Sequence, residues 1–226
     1  MKQVEKVFTD IYVNRKWDEP NNIWQPNKSN ESASGNGSTL DFTRNLRQEL
    51  PKLFDTFAIQ TVFDAPCGDL NWMSRVLAEC PDIVYIGGDI VEPLIDNLNK
   101  TYADNDNLTF VKIDIINDPL PEVDLMICRD CLFHFSEADI KTFLKNFVNS
   151  DIAALLTTTD ILPTPNKDIV TGEYRNLNLL TAPYNFTPDY IYEINDWPYP
   201  TPATRKMLMW SKEQIEDVLK LLKDSK

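Results

Sequence analysis

An apolar, strand-like run enters a tight turn at a proline and a glycine in Val62-Phe63-Asp64-Ala65-Pro66-Cys67-Gly68-Asp69-Leu70-Asn71-Trp72. The pattern predicts a strand that ends in an acidic residue and leads through the turn into a helix. A junction of this kind places backbone N–H groups and side chains around a ligand at the carboxyl edge of a parallel sheet. The stretch therefore predicts an α/β protein with a small-molecule site at that edge.

Strands and helices alternate downstream of this stretch. The predicted strands are residues 61–65, 83–86, 108–113, 123–128 and 152–158, and the predicted helices are residues 71–79, 92–102 and 136–149. Such repeats imply parallel strands joined by right-handed crossovers, with helices on both sheet faces. After Asp160 the regularity stops in a proline-rich excursion. Strands at 190–194 and 205–210 then predict an antiparallel hairpin, and Ser211 is predicted to cap a last helix.

The segment before the central stretch is more irregular. Residues 4–12 have the spacing of a short amphipathic helix, whereas residues 14–38 are polar and contain Trp17 and Trp24. Two interpretations are open for this second part: a flexible loop, or an arm that covers a ligand, because a plain linker has no need of large aromatic side chains. Thr39 is predicted to cap the next helix, and Pro51 to begin a second helical segment.

Composition excludes several classes of function. The chain has 226 residues, which suits one domain, and its net charge of -13 opposes binding to nucleic acid or to anionic membranes. No stretch approaches the roughly 20 apolar residues of a membrane helix, so we expect a cytoplasmic protein. The pair Cys128-x-x-Cys131 has too few companion ligands for a structural zinc site, and no metal is predicted.

The central stretch resembles the first motif of the class I S-adenosylmethionine-dependent methyltransferases, which has an acidic residue and three alternating glycines. Asp64 and Gly68 match that motif, while Pro66 and Leu70 stand where the outer glycines would be. Most of the chain resembles a bacterial subgroup of unassigned substrate that combines Ser-Gly-x-Gly-Ser, Asp-Ala-Pro-Cys-Gly-Asp, Arg-Asp-x-Leu-x-His and Tyr-Arg-Asn-Leu-Asn segments. The resemblance implies a three-layer Rossmann-like α/β fold with a mostly parallel seven-stranded sheet and an antiparallel last strand.

Within a single domain of residues 1–226, the resemblance suggests four parts. These are an N-terminal helical cap and loop (1–58), a cofactor-binding core (59–160), an inserted lid over the substrate (161–204), and the last strand and helix (205–226).

Charge favours S-adenosylmethionine over a dinucleotide. Asp64 and Asp69 suit the sulfonium and ammonium groups of S-adenosylmethionine, whereas a pyrophosphate would meet Asp69 as a like charge. The family assigns the ribose hydroxyls to Asp89 and the adenine amino group to Asp114, although strand-end aspartates also commonly cap loops. The remaining predicted cofactor contacts are Pro66, Cys67, Gly68, Trp72, Ile90, Ile115 and Arg129.

The end of the fourth predicted strand carries the catalytic candidates. His134 is the only histidine, and the resemblance places this edge over the transferred methyl group. His134 is either a packed side chain or a base that takes a proton from the acceptor. Arg129 and Asp130 are predicted to orient the acceptor, with an internal ion pair with a helix end as the alternative. Asp130 is a second candidate, besides His134, for assisting proton removal.

The excursion after the fifth strand is predicted to fold over the site and contact the acceptor. Arg175 is the candidate for gripping an anionic group. The other predicted substrate contacts are Trp17, Asp160, Asn176 and Tyr184.

The predicted function is methyl transfer to a small polar acceptor, with a hydroxyl preferred, and the oligomeric state stays open. The alternatives are a non-catalytic S-adenosylmethionine-binding protein and a nucleotide-dependent oxidoreductase.

Overall fold

The computed structural model describes residues 3–16, 31–199 and 204–224. Within these ranges the strands are β1 (Thr61–Asp64), β2 (Val84–Asp89), β3 (Leu108–Lys112), β4 (Leu125–Cys128), β5 (Ala154–Asp160), β6 (Tyr192–Asn195) and β7 (Arg205–Ser211). The helices are α1 (Gln3–Val13), α2 (Arg44–Phe57), α3 (Met73–Glu79), α4 (Glu92–Thr101), α5 (Glu137–Val148) and α6 (Lys212–Asp224).

The strands form one seven-stranded sheet in the order β3-β2-β1-β4-β5-β7-β6. Strands β1 to β5 are parallel, and β7 runs antiparallel between β5 and the edge strand β6. The chain order reverses between β1 and β4, and in open α/β sheets a ligand binds outside the carboxyl ends of the strands at such a point. The predicted sheet, with its antiparallel last strand, is confirmed.

Two hydrophobic cores hold the layers together, one on each face of the sheet. In the central strand β4 every residue is buried, because both faces are covered. Met126 and Cys128 belong to the core shared with α5 and α6, while Leu125 and Ile127 belong to the core shared with α2, α3 and α4. Because successive side chains of β4 point to opposite faces, this one strand contributes to both cores and so links the sheet to the helix layers on its two faces.

Helix α2 differs from the prediction at both positions that were used to place it. It begins at Arg44, with Thr43 as the N-cap residue, and Pro51 lies inside it. Thr39 instead belongs to a preceding turn, where its Oγ1 accepts a hydrogen bond from the Phe42 N–H at 3.3 Å. The helix continues through Pro51, at the loss of one backbone hydrogen bond, because its apolar stripe is buried on both sides of the proline.

The last helix begins as predicted. Ser211 and Gln214 cap it reciprocally: the Gln214 N–H donates to Ser211 Oγ at 3.3 Å, and the Ser211 N–H donates to Gln214 Oε1 at 2.9 Å. This capping box turns the chain directly from β7 into α6.

Helix α1 packs across the carboxyl edge of the sheet. Glu5 pairs with Lys112 at the end of β3 at 2.7 Å. On the other side, a Cβ placed on Gly172 would come within 2.3 Å of Val7 Cγ1, so the excursion after β5 touches the helix there. In the described part of the chain, no helix has the length and apolar character needed to cross a membrane.

Candidate active site

A cavity of about 630 Å³ opens at the carboxyl edge of the parallel strands. An aspartate from the end of each of β1 to β5 lines it, in the order Asp64, Asp89, Asp114, Asp130 and Asp160. We call the part near the first three aspartates the β1–β3 end and the part near the last two the β4–β5 end. The parallel topology brings these aspartates together, although they are far apart in sequence.

The turn after β1 is shaped by Gly68 and tied to β2. Gly68 has φ 56°, and a Cβ there would lie 2.6 Å from Ser34 Oγ, so no larger residue fits without displacing the segment above. The Cys67 N–H donates to the Gly88 carbonyl at 2.9 Å, and the Gly68 N–H donates to Asp89 Oδ2 at 3.3 Å. Gly68, the one glycine of the motif that this sequence keeps, is therefore the position where a side chain would collide with Ser34.

Asp89 and Asp114 combine a structural role with a place on the cavity wall. Asp89 Oδ1 accepts from the Val91 N–H at 3.0 Å, and Asp114 Oδ1 accepts from the Ile116 N–H at 3.1 Å. Each carboxylate thus caps the loop after its strand, as the alternative interpretation expected, while it also lines the cavity. Burial raises the pKa of Asp89 to about 6.

Asp64 is buried at the end of β1, where the Tyr85 hydroxyl donates to its Oδ2 at 2.7 Å. Burial raises the pKa of Asp64 to about 7, against the opposing effects of the Tyr85 hydrogen bond and the positive charge of Arg129. A buried carboxylate of this kind is stabilised by a cationic ligand nearby.

Asp69 serves a different purpose from the predicted one. Its carboxylate accepts hydrogen bonds from Ser32 Oγ at 2.8 and 2.9 Å and from the Ala33 N–H at 2.7 Å, and its own N–H donates to Ser34 Oγ at 3.0 Å. These bonds hold the segment 31–38, which we call the strap, and Asp69 is not among the residues that line the cavity. The predicted contact of Asp69 with the cofactor is thus replaced by a contact with the strap, because the turn presents this side chain away from the cavity.

The strap reaches from the glycine turn to the β4–β5 end. Residues 34–38 line the cavity, and a Cβ on Gly37 would lie 2.7 Å from Asp130 Oδ2. This arrangement favours the covering-arm interpretation for residues 31–38. Trp17, predicted to contact the substrate, and Trp24 lie outside the described residues.

We expect Asp69→Ala to loosen the strap, because two strap donors, the Ser32 hydroxyl and the Ala33 N–H, lose that carboxylate as their acceptor. Amide hydrogen exchange in residues 31–38 should become at least about tenfold faster, as expected for a local opening made easier by roughly 1.4 kcal/mol or more. The exposed Asp104→Ala is the matched control. Unchanged exchange in the strap of Asp69→Ala would contradict this role.

A cluster of four charges lies at the β4–β5 end: Arg129 and Asp196, which are buried, with Asp130 and Arg205, which are half-buried. We call these four residues the charged cluster. Arg129 binds Asp196 through two hydrogen bonds, from Nε at 3.0 Å and from Nη2 at 3.1 Å. Arg205 Nη1 lies 3.2 Å from Asp130 Oδ1, and Arg205 Nη2 lies 3.2 Å from Asp196 Oδ2. The internal ion pair that was left open for Arg129 therefore exists, with Asp196 of the β6–β7 connection and not with a helix end.

Aromatic rings enclose both guanidinium groups. Arg129 lies over Trp72 with 5.5 Å to the ring centroid, and Arg205 lies over Phe42 at 4.6 Å. Trp72, predicted as a cofactor contact, is buried and lines the cavity. The rings exclude water from the ion pairs, which strengthens the attraction between the charges.

His134 is held in one tautomer. Its Nδ1 lies 2.8 Å from the Glu173 carbonyl oxygen, which can only accept, so Nδ1 carries the proton and the neutral ring has its lone pair on Nε2. The ring lines the cavity and packs against Phe133 and Tyr174. Burial lowers the pKa of His134, which keeps the imidazole neutral. The structure thus combines the two interpretations: a packed ring that has the tautomer of a base.

The excursion after β5 lines the cavity, but not with the arginine that was predicted. Arg175 Nη1 donates to the Phe135 carbonyl at 2.6 Å, and Nη2 donates to the Tyr184 hydroxyl at 3.2 Å. Neither Arg175 nor Tyr184 lines the cavity, so the predicted substrate contacts at these two positions are replaced by a structural tie between the excursion and the segment after β4. The residues of the excursion that do line the cavity are Leu162, Tyr174, Asn176, Trp197 and Thr204.

The sequence interpretation missed Arg205 and Asp196, which are the other two members of the charged cluster. Both lie at the ends of the antiparallel hairpin, and only the pairing of β5 with β7 brings Arg205 opposite Asp160. A sequence signal existed in the charged residues that flank the two predicted strands, but it gave no partner for either of them.

The cysteines show no sign of metal chemistry. All four are free thiols, and burial raises the pKa of Cys67, which lines the cavity. Among the residues that the structure describes, no three or more His, Cys, Asp or Glu side chains are grouped so as to hold a metal ion.

Comparison with known proteins identifies the fold. Residues 62–150 match the family model described as "Methyltransferase domain". No curated protein sequence matches the chain. Human N-acetylserotonin methyltransferase in complex with SAM superimposes with a TM-score of 0.60 and 14% identity, over 92% of this chain and 59% of that chain.

Two bacterial structures are similar to the same extent. The 1,6-didemethyltoxoflavin-N1-methyltransferase of Burkholderia thailandensis has a TM-score of 0.59 and 14% identity, over 92% of this chain and 86% of its own. The magnesium protoporphyrin IX methyltransferase of Synechocystis PCC 6803 has a TM-score of 0.56 and 11% identity, over 92% and 99%. The chain spans only 54% to 59% of the length of three other similar chains, the human enzyme among them.

Residues 62–150 thus match a methyltransferase domain, and the chain shares its fold with solved methyltransferases. Enzymes of this family use S-adenosylmethionine, and the similar structures include ones with SAM or SAH bound. The predicted fold is therefore confirmed, and the matches support the predicted class of enzyme and its cofactor.

Proposed function

We propose that this protein transfers a methyl group from S-adenosylmethionine to a small polar acceptor, at a hydroxyl oxygen. The observation that carries the proposal is the cavity at the carboxyl edge, where three strand-end carboxylates surround one end and His134 lies at the other. The similar structures are named for acceptors as different as N-acetylserotonin and magnesium protoporphyrin IX, so the acceptor has to be argued from this chain alone.

The residues of the β1–β3 end fit the cofactor. Gly68, Asp89, Asp114 and Ile115 line this end. We assign Asp89 to the ribose hydroxyls, and Asp114 and Ile115 to the adenine ring. Asp64 offers a buried negative charge to the positive groups. Bound there, S-adenosylmethionine supplies a methyl group made electrophilic by the sulfonium.

The same residues disfavour a dinucleotide. Asp64 and Asp89 are buried on the cavity wall, and a pyrophosphate next to them would add negative charge to a site where burial already raises the pKa of both. The charge of the β1–β3 end therefore supports a cationic cofactor over an NAD-type one.

The β4–β5 end supports deprotonation of a hydroxyl acceptor. The His134 lone pair on Nε2 is the base in the cavity, and Asp130 stabilises the imidazolium that forms, since its charge raises the pKa of His134. The ion pairs with Arg129 and Arg205 hold Asp130 in place. Helix α1, the strap and the excursion cover the cavity, which orients the acceptor and excludes water.

We expect His134→Gln to lower kcat by about 10²- to 10⁴-fold, the usual range for loss of a general base, with unchanged affinity for S-adenosylmethionine. The wild-type rate should rise with pH through the His134 pKa, which lies below its ordinary value, because only the neutral ring accepts a proton. Formation of S-adenosylhomocysteine with a pool of hydroxylated metabolites measures the rate. A variant that keeps the wild-type rate would show that His134 only packs.

Calorimetric titration with S-adenosylmethionine, S-adenosylhomocysteine and NADH tests the proposed function. We expect the first two to bind and NADH not to bind. Binding of NADH alone would favour an oxidoreductase. Binding of S-adenosylmethionine without turnover of any acceptor would favour the non-catalytic alternative. The cytoplasmic location stays a prediction.

A further inference from the structure

The β4–β5 end of the cavity contains one carboxylate more than it has guanidinium groups to neutralise. Asp130, Asp160 and Asp196 lie there with only Arg129 and Arg205. The two arginines form their ion pairs with Asp130 and Asp196, none of which involves Asp160. The charges of this region balance when one positive charge is added.

Asp160 is the carboxylate left over. It is only 7% exposed and lines the cavity, and its Oδ2 accepts from the Leu177 N–H at 2.8 Å. Within the described ranges, the structure gives its Oδ1 no hydrogen-bond partner and the carboxylate no ion pair. Arg205 is near enough to lower the pKa of Asp160, yet burial outweighs this effect and raises the pKa to about 6. A buried carboxylate on a cavity wall without a counter-charge is typical of a ligand-binding group.

Aromatic side chains surround the same end. Phe133, Tyr174 and Trp197 line the cavity there. Burial, together with the charge of Asp160, raises the pKa of Tyr174. Aromatic faces attract organic cations and accommodate flat rings. Among the described residues that line this end, both arginines, Arg129 and Arg205, are already paired with carboxylates. Arg175 does not line the cavity and is bound to main-chain carbonyls.

We propose that the acceptor is a hydroxylated compound that carries a protonated amine, and that Asp160 binds this amine against the aromatic wall. The inference rests on the proposed function and deepens it, because it names the chemical class of the acceptor. The amine is the binding group, and the hydroxyl, directed to His134, is the methylated group. The negative charge of Asp160 disfavours the anionic acceptors that the sequence suggested through Arg175.

Three phenols of similar size test the proposal, since they differ in charge at the para substituent: tyramine (cationic), 4-ethylphenol (neutral) and 4-hydroxyphenylacetate (anionic). Binding is measured by calorimetry on the protein saturated with S-adenosylhomocysteine. We expect tyramine to bind at least about tenfold more tightly than the other two. Asp160→Asn should remove this preference, because asparagine still accepts from the Leu177 N–H but carries no charge. The exposed Asp106→Asn is the matched control and should keep the preference.

The outcomes separate this inference from the proposed function. Suppose that S-adenosylhomocysteine binds, but the three phenols bind equally, 4-hydroxyphenylacetate binds best, or none of them binds. Each of these results overturns the inference and leaves the methyltransferase proposal standing. Asp160→Asn should leave the affinity for S-adenosylhomocysteine unchanged. A loss of that affinity would overturn the inference too, since Asp160 would then hold the cofactor's own ammonium group. Failure of the wild-type protein to bind S-adenosylhomocysteine would overturn both proposals.

Discussion

Asp89→Ala is expected to weaken the binding of S-adenosylmethionine by at least about 100-fold. The proposed role of the carboxylate is to accept from two ribose hydroxyls, and hydrogen bonds to a charged group each contribute about 1.5–3 kcal/mol. The substitution also removes the acceptor of the Gly68 and Val91 N–H groups, and these bonds fix the turn after β1 and the loop after β2. Calorimetric titration of the purified variant measures the loss.

Asp82→Ala provides the control for this result. Asp82 lies shortly before β2, is exposed and does not line the cavity, so its removal should leave cofactor affinity unchanged. Asp89→Asn separates charge from shape, because the amide oxygen can still accept from one N–H group. Wild-type affinity in Asp89→Ala would mean that the ribose lies elsewhere and would refute the assignment of the β1–β3 end.

The largest effect on stability is expected from Asp196→Ala. Asp196 is 1% exposed and pairs with Arg129 and Arg205. Removing one member of a buried ion-pair network leaves charge without compensation, which costs about 3–5 kcal/mol. For a domain of this size such a loss lowers Tm by roughly 6–20 °C. Urea unfolding and a thermal scan measure the two quantities, with the exposed Asp151→Ala as control.

A double substitution tests the cause of that loss. Arg129→Met with Asp196→Leu removes one charge of each sign and leaves Arg205 paired with Asp130 at 3.2 Å. Because apolar side chains can replace a buried ion pair without loss of stability, the double variant should recover most of the free energy of unfolding. If it is as unstable as Asp196→Ala, the destabilisation comes from lost packing and not from an uncompensated charge.

The sheet could be predicted because its signals are local. Each parallel strand is a short apolar run followed by a turn and a helical period, and the handedness of the crossovers leaves few ways to arrange such units. The strand-end aspartates follow from the same logic, since the carboxyl ends of parallel strands meet at one edge. Pro51 misled the prediction because a local breaker signal was outweighed by the burial of apolar side chains on both sides of it.

The polar residues could not be assigned from sequence because their roles depend on partners far along the chain. Asp69 and Arg175 carry the charges that the cavity was expected to use, yet each is bound to a neighbouring segment. The direction of the Asp69 side chain depends on the strap, and that of Arg175 on the segment after β4. Asp130 and Arg205 meet only through the pairing of β5 with β7, and no local pattern connects them.

The position of β7 bears on how the protein is made. The glycine turn, Asp89, Asp114 and His134 all precede residue 161, whereas Asp196 and Arg205 arrive with the hairpin that closes the sheet. Contacts that join distant parts of a chain form late in folding, and synthesis from the N-terminus delays this one further. We therefore expect Arg129 and Asp130 to gain their ion pairs with Asp196 and Arg205 late in folding, after the β1–β3 end of the cavity has formed.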